Sequence, residues 1–286
     1  MFAIINGIGG KVIFMLEEIL SHYSSETLKK INRLLDDGHD EIISVIEWQY
    51  DEENLLEILK IFKKGYNIEI FGKGKFDYDQ IGVIELGLEN GIDASIYADP
   101  KFNCDQMMEI RLGLIASIDV SIYADSKFDW KQMREIKLGL IAGIDVSIYA
   151  DPKFDWKQMK EIRLGLIAGI DISIYADPKF VWEKMEQIRM GLEEGIDVSI
   201  YADPKFYWYQ TREIRLGLIA GIDVSIYADP KFDWKQMMEI RIGLEEGIDV
   251  SILCVDTKKE KTMIIDDITE KVKIRKLLKD EKKKNN

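Results

Sequence analysis

The residue types that most often carry chemistry are scarce in this chain and poorly placed for it. His22 and His39 are its only histidines, and no cysteine lies near either. They read as histidines on helix surfaces. Cys104 and Cys254 are 150 residues apart in unlike settings, so they form neither a disulfide framework nor a metal site, and a reducing cytosol is the expected compartment. Gly7-Ile8-Gly9-Gly10-Lys11 follows an apolar run and has the outline of a phosphate loop. No Ser or Thr follows the lysine, however, and Val12 stands where G-x-G-x-x-G needs its third glycine. No nucleophile stands at a recognisable spacing from a base. The expectation is a protein without catalysis, cofactor or metal.

What does recur is surface chemistry. Trp130, Trp156, Trp182, Trp208 and Trp234 are evenly spaced and are preceded by Tyr78. Such a row suits an interface strip, because Trp and Tyr dominate interface energetics; packing between repeats is the other reading. A second row is Ile115, Ile141, Ile167 and Ile219. Other copies carry Glu89, Glu193 or Glu245 there, and a position that accepts Glu is not core, so the isoleucines form an exposed apolar patch. The third set is acidic: Asp99, Asp125, Asp151, Asp177, Asp203 and Asp229, with Asp93, Asp119, Asp145, Asp171, Asp197 and Asp223. Caps and turns account for it. It lacks the clustered oxygens and glycine of a calcium loop, though a carboxylate ladder could also imitate a phosphate backbone. Arg111, Lys137, Arg163, Arg189, Arg215 and Arg241, mostly with Glu two residues earlier, predict local ion pairs that blunt any such mimicry.

These rows exist because the chain repeats. The aromatic at Tyr50 returns every 26 residues, at Phe76, Phe102, Phe128, Phe154, Phe180, Phe206 and Phe232. A fixed period in this range marks a solenoid. Within Phe128–Lys153, Asp129 is an N-cap with Gln132 at N3, a near relative of the capping box, and Phe128 and Met133 form the hydrophobic staple. Met133, Ile136 and Leu140 make one apolar stripe. Gly143 supplies the left-handed residue that ends the helix. Asp145 caps a second, shorter helix of about one and a half turns, which ends at Asp151-Pro152. Gly139 recurs inside the first helix at a cost of about 1 kcal/mol against alanine, which predicts a neighbouring backbone too close for a Cβ.

The fold expected is all-α: a right- or left-handed solenoid of 26-residue helix–turn–short-helix repeats. The alternative is an α/β, leucine-rich-repeat-like βα solenoid. Ile144, Val146 and Ile148 alternate with polar residues as a strand would, and Asn67–Phe71 and Val250–Cys254 have the same look. Residues 1–49 read as a divergent N-terminal cap, with Ser25–Asp37 and Glu41–Trp48 as a decayed repeat. Residues 50–256 are the solenoid, about eight repeats in one elongated body. Residues 257–286 are a basic capping helix and tail, with Ile264, Ile265, Ile268 and Val272 on its apolar side.

Charge and hydropathy narrow the partners. A net charge of -13 argues against direct binding to nucleic acid or an anionic membrane. No apolar run reaches the length of a membrane span. Met1–Leu16 is apolar but has no basic leading region, so it is not read as a signal peptide.

The phrase at Gln158–Phe180, Q-M-x-E-I-R-x-G-L-x-x-G-I-D-V-S-I-Y-A-D-P-K-F with Ile172 in place of Val, resembles a repeat of uncharacterised Firmicutes proteins, often from gut species and mobile elements. The resemblance covers residues 76–252. It implies no activity; the mobile-element setting suggests an accessory or anti-defence binder. The sequence thus points to a cytoplasmic, non-catalytic scaffold that binds another protein along one face of the solenoid. The alternative is an acidic inhibitor of a nucleic-acid-processing enzyme.

Overall fold

The computed structural model describes residues 16–248, 250, 266–267, 269–271 and 273–274. The Gly7–Lys11 loop, Cys254 and the apolar side of the C-terminal helix lie outside them, as does the strand-like run after Val250. The described residues are helical, with no strand among them. In order the α-helices are α1 (Ser25–Asp36), α2 (Ile42–Glu47), α3 (Glu52–Lys63), α4 (Tyr78–Glu89), α5 (Cys104–Ile115), α6 (Trp130–Ile141), α7 (Trp156–Ala168), α8 (Trp182–Glu193), α9 (Trp208–Ile219) and α10 (Trp234–Glu245). The chain divides into two compact units, Met1–Ile141 and Ala142–Asn286. In the first unit α3 packs on α4, α4 on α5 and α5 on α6. In the second α7, α8, α9 and α10 pack in the same order. This is a helical repeat solenoid.

Each repeat starts as its sequence dictates. In α7 the Asp155 carboxylate accepts from the Gln158 N–H at 2.9 Å, and the Asp155 N–H donates to Gln158 Oε1 at 2.8 Å. Phe154 and Met159, the staple pair, are both buried. The far end closes on Gly169 at φ 70°, with Ile170 N–H reaching back to the Gly165 carbonyl at 3.2 Å. One copy departs: Ser117 holds the same left-handed conformation at φ 55° without being glycine.

The second half is shorter than the sequence suggests. It is a single 3-10 turn of three residues, such as Ile172–Ile174, with Asp171 accepting from the Ser173 N–H. The strand pattern fails on burial. Val146 and Tyr149 are buried, whereas Ile148, which alternation would place beside Val146, is 43% exposed.

The tyrosine of that turn explains the glycine inside the helix. A Cβ on Gly165 would lie 1.9 Å from the Tyr175 hydroxyl, and Gly87, Gly113, Gly191 and Gly217 face Tyr97, Tyr123, Tyr201 and Tyr227 in the same way. The intruder is a side chain of the same repeat, not the neighbouring backbone expected from sequence. Tyr175 Oη donates to the Glu161 carbonyl at 3.1 Å, one helical turn before Gly165. The glycine costs about 1 kcal/mol in helix propensity. Burying a phenol ring of roughly 150–250 Å² returns several times that at about 25 cal/mol per Å². Burial raises the pKa of each of these tyrosines, to about 12 for Tyr97.

Two kinds of polar contact join repeat to repeat. Gln158, while capping α7, donates Nε2 to the Phe180 carbonyl at 2.6 Å. Gln80, Gln106 and Gln210 reach Phe102, Phe128 and Phe232 likewise. A glutamate would complete the cap but has no N–H to give. The basic row makes the second contact. It pairs with the carboxylate of the preceding repeat, Lys137 with Glu109 at 2.6 Å, Arg189 with Glu161 at 2.8 Å and Arg241 with Glu213 at 3.0 Å, while Arg189 and Arg241 also pair locally, with Glu193 at 2.7 Å and Glu245 at 2.5 Å. Burial pushes the Glu161 carboxyl up, and the Arg189 guanidinium opposes that shift. Arg111 would need its partner at residue 83, which is Val83, and its Nε is left without a hydrogen bond.

Candidate interaction surface

The tryptophans sit at the first helical position of α6 to α10. All five are half-buried. Part of each ring is packed and part meets solvent. The ring also meets the residue that follows the preceding or its own tryptophan. Lys157 Nζ lies 4.3 Å from the Trp182 centroid and 5.8 Å from that of Trp156. Lys131 sits over Trp130 at 5.4 Å and Lys235 over Trp234 at 5.7 Å. In α9 the bridging residue is aromatic: Tyr209 stacks on Trp208 at 3.7 Å and on Trp234 at 5.8 Å, with interplanar angles of 27° and 26°.

The isoleucine row is exposed, as its exchange with Glu implies. Ile115 and Ile141 are 50% and 54% exposed in the first unit, and Ile167 and Ile219 are 50% and 48% in the second. Each closes the helix that its repeat's tryptophan or equivalent opens, or stands one residue before the end in α7. Eleven residues at 100° each return to nearly the same azimuth, so the two rows share a side of each helix. A further exposed set was missed in sequence. Ile96, Ile122, Ile148, Ile174 and Ile200 recur like framework residues yet point outward.

A sharper feature comes from the two copies that break the cap. Val181 and Tyr207 stand where Asp155 and Asp233 stand on either side, and neither makes a side-chain cap. Val181 is 53% exposed and Tyr207 is 78% exposed, with Tyr209 beside it at 45%. The signal was in the sequence, as a departure from the copies at a cap position.

The acidic set is structural. Asp119, Asp145, Asp171, Asp197 and Asp223 each accept from a Ser N–H two residues on at 2.9–3.0 Å. Their carboxyls are held below the usual range by the Ser hydroxyl and then by that N–H. Asp99, Asp125, Asp151, Asp177, Asp203 and Asp229 take the N–H of the lysine after the turn in the same manner. Among the described residues no group of three His, Cys, Asp or Glu could hold a metal ion.

His22 is exposed and borders a cavity of about 810 Å³ with Tyr23, Tyr50, Glu52, Lys75 and Asp77. Three of its carboxylates, Asp51, Glu52 and Asp77, are committed to helix starts. Glu52 accepts from Ser24 and Thr27, and Asp77 caps α4. Tyr50 donates to the Gly74 carbonyl at 2.6 Å, and burial raises its pKa to about 12. His39 packs edge-on against Phe62 at 4.9 Å. Cys104 is half-buried, and burial raises its thiol pKa, which disfavours the thiolate. Among the described residues no helix is long and apolar enough to cross a membrane. No family model, curated protein or solved structure matches the chain.

Proposed function

We propose that this chain is a non-catalytic, cytoplasmic repeat scaffold that binds another protein through the exposed apolar residues its repeats present. It belongs, on this reading, with the 26-residue repeat proteins of Firmicutes that its sequence resembles. The supporting observation is that a position freely exchanged with Glu carries isoleucine in four copies, each about half exposed, and that in three of them it shares a helix side with a half-buried tryptophan. Apolar side chains in water at recurring positions gain nothing for the fold and suit a docking strip. Trp130, Trp156, Trp182, Trp208 and Trp234 with Ile115, Ile141 and Ile167 carry the contact.

The test is capture from lysate of the native host, read by mass spectrometry. Ile141→Glu and Trp156→Ala each reduce recovery of the partner at least tenfold while circular dichroism stays unchanged; unchanged recovery from both discards the assignment. The acidic-inhibitor reading has less support, because the aspartates are already occupied by N–H groups. It requires binding that weakens steeply between low and moderate salt, and salt-insensitive capture excludes it.

A further inference from the structure

The basic row has one member whose charge the fold leaves unanswered. Arg189 shows the full arrangement. Its Nε meets Glu161, 28 residues back, at 2.8 Å, and its Nη1 meets Glu193, four residues on, at 2.7 Å. Arg241 takes Glu213 and Glu245 from the same two places. Arg215 finds Gln187 at the first place, and Glu194, 21 residues back, meets its Nη1 at 2.8 Å. Lys137 keeps Glu109. Around Arg111 all three of these places are uncharged, being Val83, Ile115 and Asn90. Its Nε is buried without a hydrogen bond, and its Nη2 donates to the Met108 sulfur at 3.2 Å. The acidic residues that follow Val83 on α4, Glu85 and Glu89, are both held by Lys64 at 2.7 Å. Among the described residues no carboxylate pairs with Arg111, and a half-buried guanidinium without a counter-charge is costly.

We propose that Arg111 receives a glutamate side chain of the partner protein, one flanked by apolar residues. The proposal rests on the scaffold reading above and names the group that the partner presents. Access is the first support. Glu193, Glu194 and Glu245, which hold Nη1 in the other copies, are exposed, so the equivalent place beside Arg111 is reached from solvent. The setting is the second. Leu86 lies between Val83 and Asn90 on one stripe of α4 and is 40% exposed, and Ile115, one turn on from Arg111 in α5, is 50% exposed. A guanidinium in apolar surroundings binds a planar carboxylate through charge-assisted and often bidentate hydrogen bonds, stronger there than in water.

Charge complementarity selects the occupant. Glutamate answers Lys137, Arg189, Arg215 and Arg241, and the same group from outside completes the row at Arg111. A polyanion is disfavoured, because the chain as a whole carries a net charge of -13 while one carboxylate needs only one guanidinium.

The experiment titrates the full chain into a labelled, end-capped six-residue peptide, Leu-Leu-Glu-Leu-Leu-Ser, and into versions with Gln or phosphoserine in place of the Glu, following fluorescence anisotropy. The Glu peptide binds saturably and at least tenfold more tightly than the Gln peptide. Val83→Glu and Asn90→Glu each give Arg111 a carboxylate from its own chain, at places where other copies carry one, and each removes that difference. Val83→Glu also raises the melting temperature. Arg111→Gln removes the difference as well. Absence of saturable binding, equal affinity for the Glu and Gln peptides, a difference that persists in both Val83→Glu and Asn90→Glu, or tighter binding of the phosphoserine peptide overturns the proposal. Lysate capture that is lost in Ile141→Glu and Trp156→Ala but kept in Arg111→Gln removes the glutamate contact and leaves the scaffold reading standing. Capture that survives Trp156→Ala, Ile141→Glu and Arg111→Gln alike removes the scaffold reading itself.

Discussion

The repeat that begins at Phe154 and the one that begins at Phe180 have the same backbone and divide the same tasks differently. In the first, Asp155 and Gln158 cap the helix reciprocally, and Gln158 passes a hydrogen bond on to Phe180. In the second, Val181 makes no cap and Lys184 fills the glutamine position, donating to the carbonyls of Asp203 and Phe206. Lys184 is buried, and desolvation depresses its pKa to about 8 despite the opposing field of Asp203. Both repeats keep the glycine–tyrosine lock, and Arg189 of the second reaches back to Glu161 of the first. The lesson is that the stacking joint and the helix start are separable: a repeat can lose its cap and still stack, provided some N–H reaches the next phenylalanine carbonyl.

The largest effect is expected at the feature the two share. Gly165→Ala and Gly191→Ala each drive a methyl group into a tyrosine hydroxyl at 1.9 Å and should destabilise by about 3 kcal/mol or more, by the same amount in both repeats. Tyr175→Phe placed on Gly165→Ala should recover part of the loss in a denaturant titration. Additive losses in that double mutant would show that the hydroxyl is not the obstacle.

Next comes the joint. Lys184→Gln restores the pattern of the neighbouring copies and should stabilise by about 1–3 kcal/mol at neutral pH by removing a buried cation. A pH series checks the sign. With the folded pKa at about 8, below that of an unfolded lysine, the unfolded chain holds more protons between the two values. Wild-type stability therefore rises relative to Lys184→Gln from pH 8 upward. The rise levels off near pH 10.5, the ordinary lysine value, above which both the folded and the unfolded chain have lost the proton. A flat difference across pH 7–10 would mean that Lys184 carries no penalty.

The cap gives a smaller change. Val181→Asp should add about 1 kcal/mol and Asp155→Val remove as much, both read as a shift in melting temperature. The smallest sits in the other unit. Ser117→Gly relieves a left-handed serine and should add about 0.5–1 kcal/mol, whereas Gly143→Ser should cost the same.

Much of the repeat was legible because its signals are local. Asp-x-x-Gln, the Phe128–Met133 staple and Gly143 depend only on residues a few positions apart, and each falls where the spacing puts it. The exposure of Ile115 and Ile141 was legible too, from the exchange with Glu among copies. The second half-repeat was not. Ile144 to Tyr149 satisfy both a strand and a short helix, and tertiary contact settles the matter by sending Tyr149 into the helix of its own repeat. The arginine row was legible in part: Arg189 and Arg241 do pair locally, but with the Glu four residues on rather than one two residues earlier, and their other partner is 28 residues back. Two residues apart on a helix side chains diverge, and a one-repeat offset brings them together.

The sequence alone determined the period and the helix ends, because caps, staples and left-handed glycines act over a single turn. Only the tertiary structure decided what faces what. It showed that a glycine makes room for a hydroxyl, that a capping glutamine also joins two repeats, and that isoleucines which recur like core residues lie in solvent. Those facts depend on how neighbouring helices abut. Packing assigns a side chain to core or water by contacts that one-dimensional spacing does not contain.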